Sequence, residues 1–294
     1  MGINVLSLFD GMSCGQIALE RAGIEVDNYY ASEIKDYAIK VTMNNYPNTI
    51  QLGDVRNIDI STLPKIDLLI GGSPCQDFSH ANKNITGLEG SKSSLFYEYL
   101  KLLKAVKPKY FLLENVKMKK EHESIISELL GVEPILIDSK LVSASLRKRN
   151  YWTNIPNITQ PIDKNIKLND ILEYGYCNMD KARTLLESDS RPLKTPVKMF
   201  HRYQKFNTII FKDEQHYLDC KAHYDLNFKG MKAKDIIYNG DIYDGIRHLT
   251  RTEREICQTL PQGYCDGVSD NEVACLCGDG WTVDAIAHIF KEIK

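Results

Sequence analysis

The sequence predicts an α/β protein with an open, doubly wound sheet of mostly parallel strands. Short apolar runs recur along the first 140 residues, and most are followed by a stretch with helical periodicity. The runs give way to glycine or polar residues, as buried parallel strands do where they leave a sheet. With 294 residues the chain is long enough for one large domain, or for one domain with a smaller addition.

The apolar runs predict six strands, with helices in the intervals between them. The strands are expected at residues 4–9, 28–31, 49–52, 66–70, 110–113 and 133–140. The helices are expected at residues 16–22, 36–46, 95–106 and 124–130, and an amphipathic helix with Val283, Ile286, Ala287 and Phe290 on its apolar face follows a glycine turn at 276–280. Between the fourth strand and its helix lies a loop of about 19 residues, a length that is usually functional or disordered.

The strand at 66–70 leads into Gly71, Gly72, Ser73, Pro74 and Cys75. Ligands of open α/β sheets bind just outside the carboxyl ends of the strands. Pro74 stiffens the backbone next to the thiol, which makes Cys75 a candidate nucleophile. A half-buried cysteine in a tight turn explains the same residues, and the stretch alone does not decide between the two explanations.

The three preceding strand ends carry a glycine turn and two acids. Residues 10–15 form a turn into a helix, which brings backbone N–H groups up to a ligand. Glu33 stands 18 residues after Gly15, where nucleotide-type folds place an acid on ribose hydroxyls, although a helix N-terminal acid explains it equally well. Together with Asp54 at the next strand end, Glu33 suits an adenosine-bearing cofactor better than the like-charged phosphates of ATP.

Glu114 follows the strand at 110–113, so it is expected beside the thiol as an acid partner; a helix cap or a salt bridge is the alternative. Alternation predicts Arg147, Arg149 and Tyr151 on one face of a further strand. Such arginines form either a solvated edge or a clamp for an anion or a base edge.

Composition indicates an ordinary globular protein with a net charge of −2 and no global sign of a nucleic-acid partner. The eight cysteines contain no CxxC pair and no disulfide spacing, so we expect a reduced, cytoplasmic protein without a structural metal. Because residues 2–5 run straight into a strand, no signal peptide is expected. No run approaches the roughly 18 apolar residues of a membrane span.

From residue 157 to 245 the alternation of strands and helices stops. Between residues 181 and 254 there are 15 Lys and Arg against 10 Asp and Glu. Lys194, Lys198, Arg202 and Lys205 are interleaved with aromatic residues, a pattern that suits a surface following a nucleic-acid backbone. A solvated protein face is an equal competitor for the same pattern.

Taken in order, these motifs resemble those of the DNA cytosine-5 methyltransferases along nearly the whole chain. The similar segments are the cofactor loop at 9–15, the ribose and adenine positions at Glu33 and 53–55, the Pro-Cys motif at 74–76, the Glu-Asn-Val motif at 114–116, the paired arginines at 147–149, and two late motifs at 247–250 and 278–290. The resemblance implies an S-adenosylmethionine-dependent methyltransferase fold: a doubly wound, mostly parallel sheet with a terminal antiparallel hairpin. It also implies a catalytic domain of residues 1–156 and 246–294, with the C-terminal helix packed back on its core, and a small target-recognition region at 157–245.

The resemblance assigns the chemistry to four residues. Cys75 would add to C6 of a flipped-out cytosine in double-stranded DNA, and Glu114 would hold N3 and the exocyclic amine. Arg149, with Arg147 behind it, would bind O2. Methyl transfer from S-adenosylmethionine to C5 would leave S-adenosylhomocysteine, with no metal involved.

The resemblance also implies binding residues. The cofactor contacts expected from it are Phe9, Asp10, Gly11, Met12, Cys14, Gly15, Glu33, Ile34, Asp54, Val55, Pro74, Leu95, Asp279, Gly280 and Trp281. The expected DNA contacts are Ser79, His80, Asn82, Lys194, Lys198, Arg202, Lys205 and Thr250. The 76–94 loop would close over the flipped base, and the small recognition region predicts a short site of roughly two to four base pairs.

Three positions depart from the bacterial pattern. Ser145 stands where Gln is usual, Asp279 where Asn often follows the glycine, and Asp10 where Ser or Ala is common. Asp10, Tyr264 and the Trp281 segment are closer to the catalytic domain of the eukaryotic de novo enzymes. Contacts through Asp279 are therefore less firmly implied than those through Glu33 or Asp54.

The sequence bears differently on three rival functions. A transfer-RNA cytosine methyltransferase shares the fold and motifs. A catalytically dead DNA-binding subunit is disfavoured because Cys75, Glu114 and Arg149 are all present. A nicotinamide dehydrogenase would need a GxGxxG loop, which residues 11–15 do not supply. We expect a monomeric protein of bacterial or phage type, associated with DNA, whose cognate restriction nuclease, if one exists, acts separately.

Overall fold

The computed structural model describes residues 2–74, 94–187 and 195–294, with only the backbone of Ser94. Seven strands within these residues form one sheet: β1 (Ile3–Leu8), β2 (Val26–Ser32), β3 (Ile50–Gln51), β4 (Leu68–Gly71), β5 (Tyr110–Val116), β6 (Ile135–Asp138) and β7 (Lys148–Thr153). The strand order is β3-β2-β1-β4-β5-β7-β6. Strands β1 to β5 pair in parallel, whereas β7 runs antiparallel to both β5 and β6. The predicted fold class is confirmed.

Nine α-helices of the described residues accompany the sheet. They are α1 (Cys14–Ala22), α2 (Asp36–Asn45), α3 (Ser94–Val106), α4 (Lys120–Leu130), α5 (Pro196–Tyr203), α6 (Glu214–Asn227), α7 (Arg251–Cys257), α8 (Asp270–Asp279) and α9 (Val283–Phe290). The first four were predicted to within a few residues from their apolar periodicity.

The centre of the sheet is buried on both faces, as parallel strands covered by helices require. Leu6, Leu69 and Leu113 on three adjacent strands are fully buried in one core cluster, together with aromatic side chains of α3. Gly71 lets this packing reach the sheet edge, since a Cβ there would lie 3.0 Å from the Tyr99 ring. The carboxyl ends of β1 to β5 therefore stand on a closely packed base.

The C-terminal helix α9 is buried on nearly every side and packs against α1. Its predicted apolar face is confirmed, since Val283 and Ile286 are fully buried. The segment 270–290, which joins α8 and α9, is apolar and long enough by composition to cross a membrane, but 72% of its apolar window is buried inside the protein. Burial of this kind is typical of core helices.

Contacts divide the chain into two compact units. The first consists of residues 1–139, 148–162 and 280–294 and holds the sheet; the second consists of residues 140–147 and 163–279. The predicted recognition region, 157–245, lies mostly in the second unit, which also takes in 246–279 because α7 and α8 pack together there. The bounds of the target-recognition region, residues 157–245, stay a prediction.

The second unit has an aromatic core of its own. Phe200 of α5 is fully buried, with its ring centroid 5.3 to 5.9 Å from those of four neighbours: Tyr203, Phe211, Tyr224 and Tyr243. Helices α5 and α6 were not predicted. Helix α6 carries few apolar residues at helical spacing.

Two local expectations were wrong. The glycine turn expected at 276–280 is the end of α8, and Gly278 lies inside that helix. A Cβ at Gly278 would come within 2.3 Å of the Glu187 backbone nitrogen, so close chain approach explains this glycine. Arg147 precedes β7, so only Arg149 and Tyr151 alternate within the strand.

Helix α4 is tied to the sheet by a buried hydrogen bond, which gives a test of the packing. The Trp152 indole N–H donates to Ser127 Oγ at 3.0 Å. Ser127→Ala should lower the free energy of unfolding by about 1–3 kcal/mol, because it leaves the buried indole N–H unpaired. Ser124→Ala, exposed on the same helix, is the matched control and should change it by less than about 0.5 kcal/mol. Equal effects of the two substitutions in urea unfolding would refute this packing.

Candidate active site

The turn between β1 and α1 has an unusual backbone. Phe9, Gly11 and Ser13 all have positive φ angles, at 57°, 60° and 59°. This conformation is sterically unfavourable for Phe9 and Ser13, because both have a Cβ atom. The surrounding hydrogen bonds must offset its cost. A Cβ added at Gly11 would meet nothing within 4 Å, so the turn faces open space at this point.

The Asp10 carboxyl group holds the turn together. Its Oδ1 accepts hydrogen bonds from Ser7 Oγ at 2.5 Å and Tyr29 Oη at 2.8 Å, and its Oδ2 accepts one from Ser13 Oγ. Burial of the carboxyl raises the pKa of Asp10 from 3.8 to about 6, against the lowering effect of the three hydroxyls. The Asp10 side chain thus stabilises the conformation of the turn through hydrogen bonds within the protein, a role that the sequence did not indicate.

Glu33, at the end of β2, braces the same turn. Its Oε2 accepts the Gly11 N–H at 2.8 Å, while Oε1 accepts the N–H groups of Ile34 and Lys35 at 2.7 and 2.9 Å. The carboxylate therefore stands between the first turn and the approach to α2. Both explanations offered for Glu33, a ribose contact and an acid at a helix N-terminus, therefore stay open. The carboxylate caps backbone amides before α2, and it also lies beside Gly11, which borders open space.

Asp54 lies beyond β3 and caps a short 3-10 turn by accepting the Arg56 N–H at 3.0 Å. The Arg56 guanidinium also donates to the carboxylate, with Nε 2.9 Å from Oδ1. These bonds lower the pKa of Asp54 to about 2, so it is a carboxylate at every physiological pH. Arg56 is a neighbour that the sequence analysis did not name.

This edge of the sheet fits an adenosine-bearing, positively charged cofactor. Added Cβ atoms at Gly11 and Gly53 would meet nothing within 4 Å, so both backbones border open space. Glu33 and Asp54 present carboxylates, which accept hydrogen bonds from hydroxyl and amino groups and favour a cation. These acceptors and their negative charge therefore match a ribose, an exocyclic amine and a sulfonium.

The other predicted cofactor contacts differ in their exposure. Met12, Cys14, Gly15 and Val55 are buried, so they could meet a ligand mainly through their backbone; Phe9, Pro74, Leu95, Gly280 and Trp281 are half-buried, and Ile34 and Asp279 are exposed. Gly15 is glycine because a Cβ would lie 2.7 Å from the Tyr29 hydroxyl.

Glu114 and Arg149 meet across the antiparallel pair β5–β7. Arg149 is opposite Val116 in the register, which places it on the same face as Glu114, diagonally across the ladder. Arg149 Nε lies 2.8 Å from Glu114 Oε1, and the two side chains are only 12% and 9% exposed. The structure thus brings these two predicted site residues together, and their roles stay a prediction.

The Glu114 carboxylate has a second neighbour from the far end of the chain. The Trp281 indole N–H donates to Glu114 Oε2 at 3.1 Å. Oε1, although close to Arg149, accepts no aligned hydrogen bond from the described residues. One carboxylate oxygen thus accepts a hydrogen bond, and the other lies against the Arg149 guanidinium.

Asn115 connects the end of β5 to the turn that leads to the predicted nucleophile. Its Nδ2 donates to Ser73 Oγ at 3.1 Å and to the Ser73 carbonyl at 3.3 Å, all within the buried interior. The sequence motif contains this asparagine but did not indicate its task. Cys75 itself lies outside the described residues.

Arg147 belongs to the second unit and not to the unit that holds Glu114. It is 3% exposed, and its guanidinium donates to the carbonyl oxygens of Gly278 and Asp279 at 3.1 and 3.3 Å. These bonds fix the chain around the end of α8. Its predicted place behind Arg149 stays a prediction.

The predicted DNA contacts fall into three groups. Ser79, His80, Asn82 and Lys194 lie outside the described residues. On and after α5, Lys198 and Arg202 are half-buried and Lys205 is exposed. Thr250 caps α7: its Oγ1 accepts the Glu253 N–H at 3.2 Å in the capping box that its spacing predicts.

Among the described residues no cluster of His, Cys, Asp and Glu side chains is arranged to hold a metal ion. The cysteines described there are all free thiols: Cys14, Cys177, Cys220, Cys257, Cys265, Cys275 and Cys277.

Comparisons with known sequences find similarity to cytosine-specific and other DNA methyltransferases. Residues 3–130 match the family described as C-5 cytosine-specific DNA methylase. Among curated relatives, the orphan methyltransferase M.Rho11sI of Bacillus phage rho11s is 30% identical over 268 residues, which are 84% of this chain and 52% of that protein. The type II methyltransferase M.NgoBV of Neisseria gonorrhoeae is 29% identical over 260 residues, 79% of this chain and 59% of that protein. The chain thus spans slightly more than half the length of these relatives.

Among solved structures, a DNMT2 variant from Spodoptera frugiperda superposes with a TM-score of 0.71 at 18% identity, covering 99% of both chains. The methyltransferase EhMeth of Entamoeba histolytica gives the same TM-score at 15% identity, covering 100% of this chain and 99% of that one. At these identities the likeness establishes the shared fold.

The buried Asp10 carboxyl predicts a pH-dependent stability difference. Because its pKa is raised to about 6 in the folded protein, ionisation weakens folding as the pH rises from about 4 to above 6. Asp10→Asn cannot ionise, so its free energy of unfolding relative to the unsubstituted protein should rise over that interval by about 2–3 kcal/mol. Urea unfolding at several pH values checks this. Asp36→Asn, at an exposed site in α2, is the control; a pH-independent Asp10→Asn difference would contradict the account.

Proposed function

We propose that this protein methylates C5 of cytosine in double-stranded DNA, using S-adenosylmethionine. The match of residues 3–130 to the C-5 cytosine-specific DNA methylase family supports the proposal. The observation that carries the proposal is the buried Glu114 carboxylate, paired with Arg149 at the edge of the sheet where β4 leads to Cys75. An acid and a cation fixed in one recess suit the recognition of a pyrimidine ring.

The chemical difficulty is that C5 of cytosine is a poor nucleophile. In the proposed reaction the Cys75 thiolate adds to C6, and the electron pair displaced from the C5–C6 double bond makes C5 able to attack a methyl group. A proton from Glu114 to N3 offsets the charge that would otherwise build up on the ring. After methyl transfer, loss of the C5 proton expels the Cys75 thiolate and restores the double bond.

The residues around the base have separate tasks in this proposal. Glu114 Oε1 has no aligned hydrogen-bond donor among the described residues, so it can hold N3 and the exocyclic amine. Arg149 would bind O2 and orient the ring. Asn115 holds Ser73 and so fixes the backbone two residues before the nucleophile. Arg147 would support this arrangement from the segment that precedes β7.

The cofactor would supply an electrophilic methyl group on a sulfonium centre. Glu33 would accept hydrogen bonds from its ribose, and Asp54 with Val55 would hold its adenine. The turn that includes Phe9, Asp10 and Gly11 would support its methionine end. The open space at Gly11 and Gly53 is consistent with this ligand.

The target carbon of a duplex is stacked, so the base must leave the helix before reaction. We propose that the 76–94 loop, with Ser79, His80 and Asn82, closes on the flipped base, and that the basic face near Lys198 and Lys205 follows the DNA backbone. The region around 157–245 would read a short site of roughly two to four base pairs. Thr250, Arg202 and Lys194 would add backbone contacts.

The relatives named as orphan and type II methyltransferases favour a bacterial or phage setting, where the protein acts on DNA as a monomer and any cognate nuclease acts separately. A transfer-RNA substrate is the second candidate, since it needs the same four chemical groups. The two substrates are separated by direct assay.

We expect labelled methyl groups to pass from S-adenosylmethionine to duplex DNA and not to transfer RNA. Cys75→Ser should reduce the rate on the order of 10³-fold or more, because serine is a far weaker nucleophile for C6. Cys275→Ser, which removes another thiol in the second unit, is the control and should keep the activity. Transfer to RNA alone, or full activity of Cys75→Ser, would refute the proposal.

Glu114→Gln should reduce the transfer rate by about 10²-fold, because the amide cannot deliver a proton to N3. Bisulfite sequencing of a plasmid that carries the gene in a methylation-free host gives the target site at the same time. Unchanged plasmid methylation by Glu114→Gln would remove Glu114 from the mechanism.

A further inference from the structure

We propose that Trp281 is a positioning residue for Glu114, through its indole N–H, and not only a cofactor contact. The inference rests on the proposed function, because it needs Glu114 to act on the base. Its evidence is independent of the family motifs: one hydrogen bond, one tightly packed glycine, and the anchoring of α9.

With this hydrogen bond, each oxygen of the Glu114 carboxylate has a polar partner. Trp281 Nε1 donates to Glu114 Oε2 at 3.1 Å, and Arg149 Nε lies 2.8 Å from Oε1 on the other side. A glutamate side chain has three rotatable bonds, so a single partner leaves its head free to turn. Two partners on different oxygens fix both the direction of the head and its plane.

The two partners also differ in how they hold their oxygens. An indole N–H can only donate, so Oε2 acts as an acceptor toward Trp281. Oε1 lies beside the Arg149 guanidinium but accepts no aligned hydrogen bond from the described residues. Trp281 thus occupies Oε2, so Oε1 is the oxygen with which Glu114 would meet the base.

Gly72 shows how closely these groups are packed. A Cβ at this position would lie 2.8 Å from Trp281 Nε1 and 3.0 Å from Glu114 Oε2. The φ angle of Gly72 is not in the left-handed region, so its backbone does not itself require glycine. The space between indole and carboxylate requires it, which explains the second residue of the Gly71-Gly72 pair.

Trp281 is anchored by the element that follows it. Thr282 is buried, and α9 begins at Val283 and packs against α1. A surface ion pair, Arg21 Nη1 to Asp284 Oδ1 at 2.7 Å, spans the same helices. The packing of α9 thereby holds the Trp281 N–H beside Glu114, which lies 167 positions earlier in the chain.

Trp281→Phe separates positioning from cofactor contact, because it keeps an aromatic ring and removes the N–H. If the N–H positions Glu114, the single-turnover rate of methyl transfer to DNA should fall by about 10- to 100-fold. The pH profile of the rate should shift as well, because the substitution removes the hydrogen-bond donor to Glu114 Oε2. The Kd for S-adenosylhomocysteine, measured by calorimetry, should change less than about twofold.

Tyr110→Phe is the matched control. It also removes one donor from an aromatic ring, a Tyr110 hydroxyl that reaches the Lys294 carbonyl at 3.1 Å at the opposite end of β5. The rate, the pH profile and the affinity for S-adenosylhomocysteine should all be unchanged.

Gly72→Ala is a second test of the same contact, and it leaves Trp281 unchanged. The added methyl group should push the indole and the carboxylate apart and move the pH profile in the same direction as Trp281→Phe does. If both variants keep the original pH profile, or if Trp281→Phe only weakens binding of S-adenosylhomocysteine, the inference is wrong. An inactive unsubstituted protein, or an active Cys75→Ser variant, would instead refute the proposed function.

Discussion

The candidate site depends on the antiparallel register of β5 and β7. β7 enters between β5 and β6 in the opposite direction, so its first residues lie at the same edge as the last residues of β5. The register sets Arg149 diagonally across from Glu114 and buries both charges together. A shift of one residue would turn Arg149 to the other face and leave a buried, uncompensated carboxylate, which is a costly state.

The rest of this edge consists of groups held by short-range bonds. Asp10 holds the left-handed turn through three hydroxyls, Glu33 braces it through the Gly11 N–H, and Asn115 holds Ser73. Strained backbone at Phe9 and Ser13 is tolerated because these bonds over-determine it. The protein's own bonds therefore order this edge, so a reaction there does not have to bear the cost of ordering it.

Strand-end reasoning predicted the sheet and the positions of Glu33, Asp54 and Glu114, because apolar periodicity and the rule for ligand sites are local features of sequence. The donors that hold these acids were not predictable. Trp281 reaches Glu114 across 167 positions, and Gly72 is explained only by the space between them. Helix α6 escaped prediction because its buried side chains, such as Cys220 and Tyr224, are few and its surface is polar.

The most direct test of the account is a covalent complex with DNA that contains 5-fluorocytosine at the methylated site. Fluorine cannot leave C5 as the proton does, so elimination of the thiolate is blocked after methyl transfer. With S-adenosylmethionine present, we predict a stable protein–DNA adduct whose peptide mass locates the bond at Cys75. Adduct formation at another residue, or methylation of ordinary DNA without a trapped adduct on the fluorinated duplex, would contradict the account.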